Sequence, residues 1–393
     1  MGIERELMHR NMEHMFDRPV ERRGSDSIKW DKYKGRDILP LWVADMDFPS
    51  PPAVIRALHE RVSHGVFGYT DVSSELTDAV VSHLQQDFGW SINPEWLVWL
   101  PGLVCGLNVA CRAVGTAGDE VITCTPVYPP FMSAPALSGR TAVTVPLQLN
   151  GKLWEMDLPA LEKAVTPRSR MLMLCNPHNP VGRVWTEHEL LQLAEVACRH
   201  DLVICSDEIH AGLVLDEDKN HIPIAALSPE IAARTITLHA PSKTYNIPGL
   251  GCSFAVISDP ALRKSFRGVM AGIVPHVNLF GYTAALAAYR QGEEWRRELI
   301  EYLRGNRDML LQAVEEMPGM KAFPVEATYL AWIDTRGTGI ENPGRFFEAA
   351  GVGLSDGAEF GLPGFVRLNF GCPRAMLAEA LQRMQDAVNN QRR

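Results

Sequence analysis

Five stretches of this chain place a chemically able residue directly after a short apolar or β-branched run. In Thr237–Gly251, TLHAPSKTYNIPGLG, the run ends before Pro241, and Ser242-Lys243-Thr244 follow in a loop closed by Pro248-Gly249. A lysine against apolar walls loses its charge easily, and its neutral amine condenses with a carbonyl carbon; taken alone, a Ser-Lys pair is more often a solvated loop. After Leu97–Leu100, Pro101-Gly102-Leu103-Val104 opens a helix whose free N–H groups, with no side chain at Gly102, suit a phosphate. An ordinary strand-to-helix turn has the same look. After Glu120–Cys124, Tyr128 is held by prolines in TPVYPPF, either to stack on a flat heterocycle or as a rigid aromatic loop. After Arg170–Cys175, Asn179 in NPHNPVG could donate its amide to a phenolate oxygen, although Asn and Pro also suit turns. After Leu202–Ser206 comes Asp207. A carboxylate at a buried strand end is costly unless paired. A pyridinium N–H would pair with it and remain an electron sink, while capping of a following helix is the competing role. A phosphate seat, a stacking ring, an amide donor, an acid and an amine together fit one cofactor, pyridoxal 5′-phosphate (PLP).

The elements that must position these residues follow a regular pattern. Those five runs, with Thr141–Val145 and Cys252–Ile257, make seven candidate strands. Helix-like segments fall at 102–117, 186–200 and 222–233, and Thr186 with Glu189 has capping-box spacing. Helices are also expected over 52–64, after Pro51-Pro52, and over 73–88. Strands alternating with helices predict an α/β fold with a mostly parallel, doubly covered sheet. Ligands of such sheets sit at the carboxyl ends of the strands. Beyond about residue 260 helical periodicity dominates, with a long amphipathic stretch at 293–317. A smaller α+β unit then holds ATYLAWID and FVRLNFG. The expected division is a large domain over 48–290 and a small domain built from 1–47 and 291–393.

Composition excludes several classes. With 46% hydrophobic and 22% charged residues the chain is an ordinary globular protein. A net charge of −9 argues against a nucleic-acid or anionic-membrane surface. The start, MGIERELMHRNMEHMFDRP, carries acidic residues and no apolar core, so neither a signal nor a transit peptide is expected. The most apolar window, Trp96 to Gly115, is broken by Pro101, Gly102, Asn108 and Arg112. It reads as a strand and a helix, not as a membrane span. None of the eight cysteines forms a CxxC pair, which points to free thiols in a reducing cytoplasm. There is no ligand-spaced Cys/His cluster for a metal and no GxGxxG or GxxxxGK[ST] run for a nucleotide.

The set LPGLVCGL, PVYPPF, CNPHNPVGRVW, SDEIH, APSKTYN and FVRLNFGCPR resembles the fold-type I PLP-dependent enzymes of the class I/II aminotransferase superfamily. KWDKY with LWVADMDF, FGYT at 67–70, and His210 three residues after the aspartate resemble more narrowly the MalY/PatB-like cystathionine β-lyases, a branch of C–S lyases. The likeness runs from about Phe16 to Met384. It implies the PLP-dependent transferase (aminotransferase) fold type I, and Lys243, Asp207 and Tyr69 as catalytic residues. It further implies that Lys243 carries PLP covalently, that Asp207 pairs with the ring nitrogen and that Tyr128 stacks on the ring. Asn179 and His210 would approach its O3′. Leu103, Val104 and Ser242 would hold the phosphate together with Tyr69 from a partner subunit, which makes a homodimer with shared sites. Arg367 would grip the substrate α-carboxylate, and LWVADMDF would line the cleft, although Asp45 and Asp47 could equally be turn carboxylates. Three positions depart from the pattern: Gly251 stands where many relatives have a phosphate-binding arginine, Gly212 where the branch has an aspartate, and Leu103 where valine is usual.

The implied activity is β-elimination from cystathionine or another S-substituted cysteine, giving a thiol, pyruvate and ammonia in cytoplasmic amino-acid metabolism. An aminotransferase shares every cofactor residue named, so the preference rests on the branch resemblance. A PLP-bound regulator that binds a transcription factor is a further alternative, disfavoured by the presence of Lys243, Asp207 and Arg367 together.

Overall fold

The computed structural model describes residues 15–391. Residues 1–14, on which the expectations of a small-domain segment and of no targeting peptide partly rest, lie outside the described residues, as do 392 and 393. Seven strands form the main sheet: β1 (Leu97–Leu100), β2 (Glu120–Thr125), β3 (Thr141–Pro146), β4 (Ser169–Cys175), β5 (Val203–Asp207), β6 (Thr235–His239) and β7 (Ser253–Val256). Their order is β1-β7-β6-β5-β4-β2-β3. β7 runs antiparallel to both neighbours, and the other pairs are parallel. All seven expected strands are present within one residue at either end. Parallel strands need crossovers, and helices such as α3 (Leu103–Ala113) and α4 (Glu187–Arg199) supply them. The inward face of α3 carries Leu103, Gly106, Leu107 and Ala110, the spacing of one buried helical stripe. The capping box at Thr186 forms as its spacing predicts. The expected helix at 222–233 is instead a single 3₁₀ turn, Ile224–Ala226, and a short helix, Pro229–Ala233. Pro229 lacks the N–H needed to continue a helix, and Ser228 caps a new one there.

Further helices include α1 (Pro52–His64), α2 (Ser74–Phe88), α5 (Leu279–Gln291), α6 (Glu293–Glu315) and α7 (Arg374–Gln391). A second, antiparallel sheet runs β8 (Lys321–Ala322), β9 (Leu330–Asp334), β11 (Phe365–Asn369), β10 (Ser355–Asp356) across its width. Trp332 of β9 stacks on Phe365 of β11 at 5.2 Å. The incoming chain joins this sheet's surroundings, because Leu39–Pro40 pairs in parallel with Val352–Gly353. Residues 41–48 then cross to the main sheet as a strap. The whole architecture is therefore α/β with an added α+β unit.

Burial holds several histidines neutral, His83 and His178 among them. His83 on α2 packs against the rings of Tyr289 and His239, and burial drops its pKa from 6.5 to about 3. His178 keeps a 2.8 Å contact from Nε2 to the Pro126 carbonyl, and burial drops it to about 4. A histidine whose folded pKa lies below its unfolded value contributes stability that is whole above about pH 6.5 and is lost progressively as pH falls toward the folded pKa. Melting temperature should therefore fall steadily from about pH 7 to about pH 5, and His83→Gln should flatten that slope. A melting curve insensitive to this variant across the same range would show that His83 is not one of the groups responsible.

Candidate active site

Because β1, β2, β4, β5 and β6 point the same way, their carboxyl ends share one edge of the sheet. A cavity of about 250 Å³ opens there, lined by Leu103, Val104, Tyr128, Asn179, Asp207, His210, Ser242 and Lys243. The five strand ends singled out in the sequence thus converge on one volume. The helix competing for Asp207 is absent, since only a turn follows β5. Its Oδ1 instead accepts the Ile209 N–H at 3.1 Å.

Charges at this edge lack their usual counter-ions. Asp207 is buried and makes no ion pair among the described residues; burial raises its pKa to about 7. Burial lowers Lys243 to about 8, a range in which a neutral amine is well populated. The Lys243 Nζ donates to the Ala44 carbonyl at 2.5 Å. His210 is held neutral by burial, and its Nδ1 has no partner among the described residues. Orphaned buried groups of this kind ask for a ligand. No side chain caps the α3 N-terminus at Gly102, so the first-turn N–H groups are free to face an anion. A ring with an N–H for Asp207, a carbonyl carbon for Lys243 and a phosphate for α3 fits these groups.

Arg367, on β11, reaches the same edge from the second sheet. It is 4% exposed and forms no ion pair with a carboxylate among the described residues. Its Nη1 donates to Asn179 Oδ1 at 3.1 Å and its Nη2 to the Trp42 carbonyl at 2.7 Å, while Nε stays without a partner. The ring of Phe360 lies 4.7 Å from the guanidinium. Burial lowers its pKa to about 10, so it remains a cation. A guanidinium only donates, so the Asn179 oxygen faces it and the Asn179 amide hydrogens are left for the cavity. Tyr69, in contrast, is fully exposed and not among the residues lining this cavity.

The strap is the LWVADMDF segment that the resemblance implies as a lining of the cleft. Val43 and Ala44 line the cavity. Asp45 and Asp47, which the sequence left open as cleft or turn carboxylates, are held by cations: Asp47 by Lys29 at 2.7 Å and Arg22 at 2.6 Å, Asp45 by Arg22 at 2.8 Å. Asn246, three residues past the lysine and in the left-handed region (φ 53°), brackets Met46 and Phe48 through their backbone. Asn369 holds the Val43 and Asp45 carbonyls, and Tyr329 holds that of Ala44. Sequence reasoning missed these three donors because their target is main chain. The only signal was an Asn inside each of two quoted motifs, TYN and LNF.

The departures also have local causes. Gly251 has φ 60°, and a Cβ there would sit 2.9 Å from the Pro101 carbonyl oxygen. A Cβ at Gly212 would meet Thr244, the lysine's neighbour, at 2.7 Å.

The aminotransferase class I and II family model matches residues 36–384. Over 390 residues, 95% of this chain and 100% of the relative, the sequence is 39% identical to cystathionine beta-lyase PatB of Bacillus subtilis (strain 168). The crystal structure of OvoB superposes with a TM-score of 0.93 at 49% identity, covering 95% of this chain and 98% of that one. The PLP-bound C-S lyase from Staphylococcus hominis gives 0.90 at 33% identity, covering 95% and 97%. Gly251→Ala should test the crowding against Pro101: a left-handed Ala costs about 1 kcal/mol before the clash with Pro101 is counted. A lower melting temperature and weaker retention of PLP on dialysis are expected; unchanged retention would separate this glycine from the cofactor seat.

Proposed function

The chain belongs to the aminotransferase class I and II family, and on that premise we propose that it is a PLP-dependent carbon–sulfur β-lyase acting on cystathionine or related S-substituted cysteines. The observation that carries this is the meeting at one cavity of a partly buried Lys243 with buried Asp207 and, through Asn179, buried Arg367, none of them in an ion pair among the described residues. In this proposal Lys243 binds the cofactor, Asp207 faces its ring nitrogen, Tyr128 its ring face, and Asn179 and His210 its O3′. Leu103, Val104 and Ser242 hold its phosphate without a cation from this chain. When bound, PLP supplies the electron sink that labilises bonds at the substrate α-carbon.

The chain's own residues do the rest. Arg367 fixes the α-carboxylate in a bidentate fork, which fixes the α-carbon near the lysine. The neutral Lys243 amine takes the α-proton as general base. A β-thiolate then leaves, and pyruvate and ammonia follow by hydrolysis. Preference for elimination over transamination rests on likeness to the cystathionine beta-lyase of B. subtilis and the C-S lyase of S. hominis. We place Tyr69 in the site of a second copy. Val62 near the end of α1 and Val66, Phe67 and Tyr69 just after it are exposed apolar side chains that a homodimer would cover. The proposal includes a cytoplasmic setting, supported by eight unpaired cysteines. Among the described residues no helix is long and apolar enough to cross a membrane. It also includes the division at 48–290 against 1–47 with 291–393.

Absorbance of the purified protein before and after adding cystathionine, with pyruvate assayed alongside, tests the activity. A PLP band that Lys243→Ala abolishes, and pyruvate formed with no keto acid present, are expected. Arg367→Lys should raise KM by about tenfold or more, because a point charge cannot reproduce the fork. Conversion of the cofactor to its amine form, with a keto acid required for turnover, would replace the lyase by an aminotransferase.

A further inference from the structure

The Ala44 carbonyl receives two hydrogen bonds, from Lys243 Nζ at 2.5 Å and from the Tyr329 hydroxyl at 2.9 Å. A carbonyl oxygen has two lone pairs, so both are in use. The oxygen is also immobile, because Asn369 Nδ2 holds the carbonyls on either side of it, at 2.6 Å and 2.7 Å. Tyr329 is 1% exposed, and its ring stands edge-on to His210 at 6.1 Å. The tyrosine is thus a fixed donor and the lysine a visiting one. Were the lysine nitrogen bound to the cofactor it would keep at most one N–H and no longer be a free donor, and the phenol would keep that cavity-wall oxygen satisfied. Once substrate displaces the lysine, the acceptor is in place for its return.

We infer that Tyr329 is a positioning residue for Lys243, acting through the Ala44 carbonyl, which docks the free amine and aims its remaining lone pair into the cavity. The inference rests on the PLP reading of the site. One N–H on a fixed oxygen leaves the nitrogen lone pair a narrow range of directions. The α-proton passes to that lone pair and forms a new N–H bond, and the C–H electron pair is left to the cofactor. Charged or titratable groups facing the amine are Asp45 on the strap, Asp207 on β5, His210 after it, Arg367 on β11 and the Tyr329 phenol.

The test follows exchange of the α-hydrogen of L-alanine in deuterated water by NMR, using the PLP-loaded protein. L-Alanine has no β-leaving group, so exchange reports proton transfer alone. Tyr329→Phe should retain PLP and slow exchange at saturating alanine about tenfold, with the half-saturating concentration moved less than about twofold. Asn369→Ala, which unpins the same carbonyl from its flanks, should slow exchange as well. A second readout uses the cofactor-free protein: the pH midpoint for addition of PLP to Lys243 should rise by about half a unit in Tyr329→Phe, because Ala44 then offers both lone pairs to the ammonium form. Exchange within about twofold of wild type, or an unmoved midpoint, overturns the assignment. Wild-type exchange without pyruvate from any S-substituted cysteine would remove the lyase reading and leave this one standing.

Discussion

Everything at the active edge depends on charges taken out of water without being fully paired. Desolvation pushes Asp207 up to about 7, Lys243 down to about 8 and Arg367 down to about 10. A buried charge lacking a partner is costly, so such sites persist where a ligand completes them. By contrast, the carboxylates of the strap are paired. Asp47 sits between Lys29 and Arg22 and also accepts the Trp30 indole N–H at 2.8 Å. That cluster anchors, whereas the open charges of the cavity remain available to cofactor and substrate.

The strap joins the two sheets at their working edges. Its carbonyls from Trp42 to Met46 accept side chains from the second sheet (Arg367, Ser355, Asn369), from the segment just before β9 (Tyr329), and from the lysine loop (Lys243, Asn246). Two of these donors are the groups proposed to bind substrate carboxylate and to move its proton. Their separation is therefore set by a short piece of main chain rather than by a direct contact. A rigid backbone carries such geometry better than two long side chains would, because it has fewer rotors to order. The loop of Asn179 is braced independently: Arg183, four residues on, forms a 3.0 Å ion pair with Glu326, and Gly182 O accepts the Glu326 and Ala327 N–H groups.

Much of this was legible in the sequence because the governing physics is local. Alternating β-branched runs and helical stripes specify strands and helices through side-chain periodicity, and the strand ends inherit their positions. The seven strands and their terminal residues followed from that, as did the capping box at Thr186. The helix expected at 222–233 failed because its stripe spans Ser228-Pro229, where a local stop signal outweighs periodicity.

The sequence by itself determined the residue types at each strand end and the class of cofactor they suit, since each of those choices is a one-residue chemical statement. Only the tertiary structure decided which lone pair each group occupies. That Asn179 turns its oxygen to Arg367, that Ala44 is the acceptor for Lys243, and that Asp45 and Asp47 belong to the anchor all depend on segments roughly 20 to 200 residues apart meeting in space. A hydrogen bond to main chain leaves no residue type at its acceptor for a sequence to display.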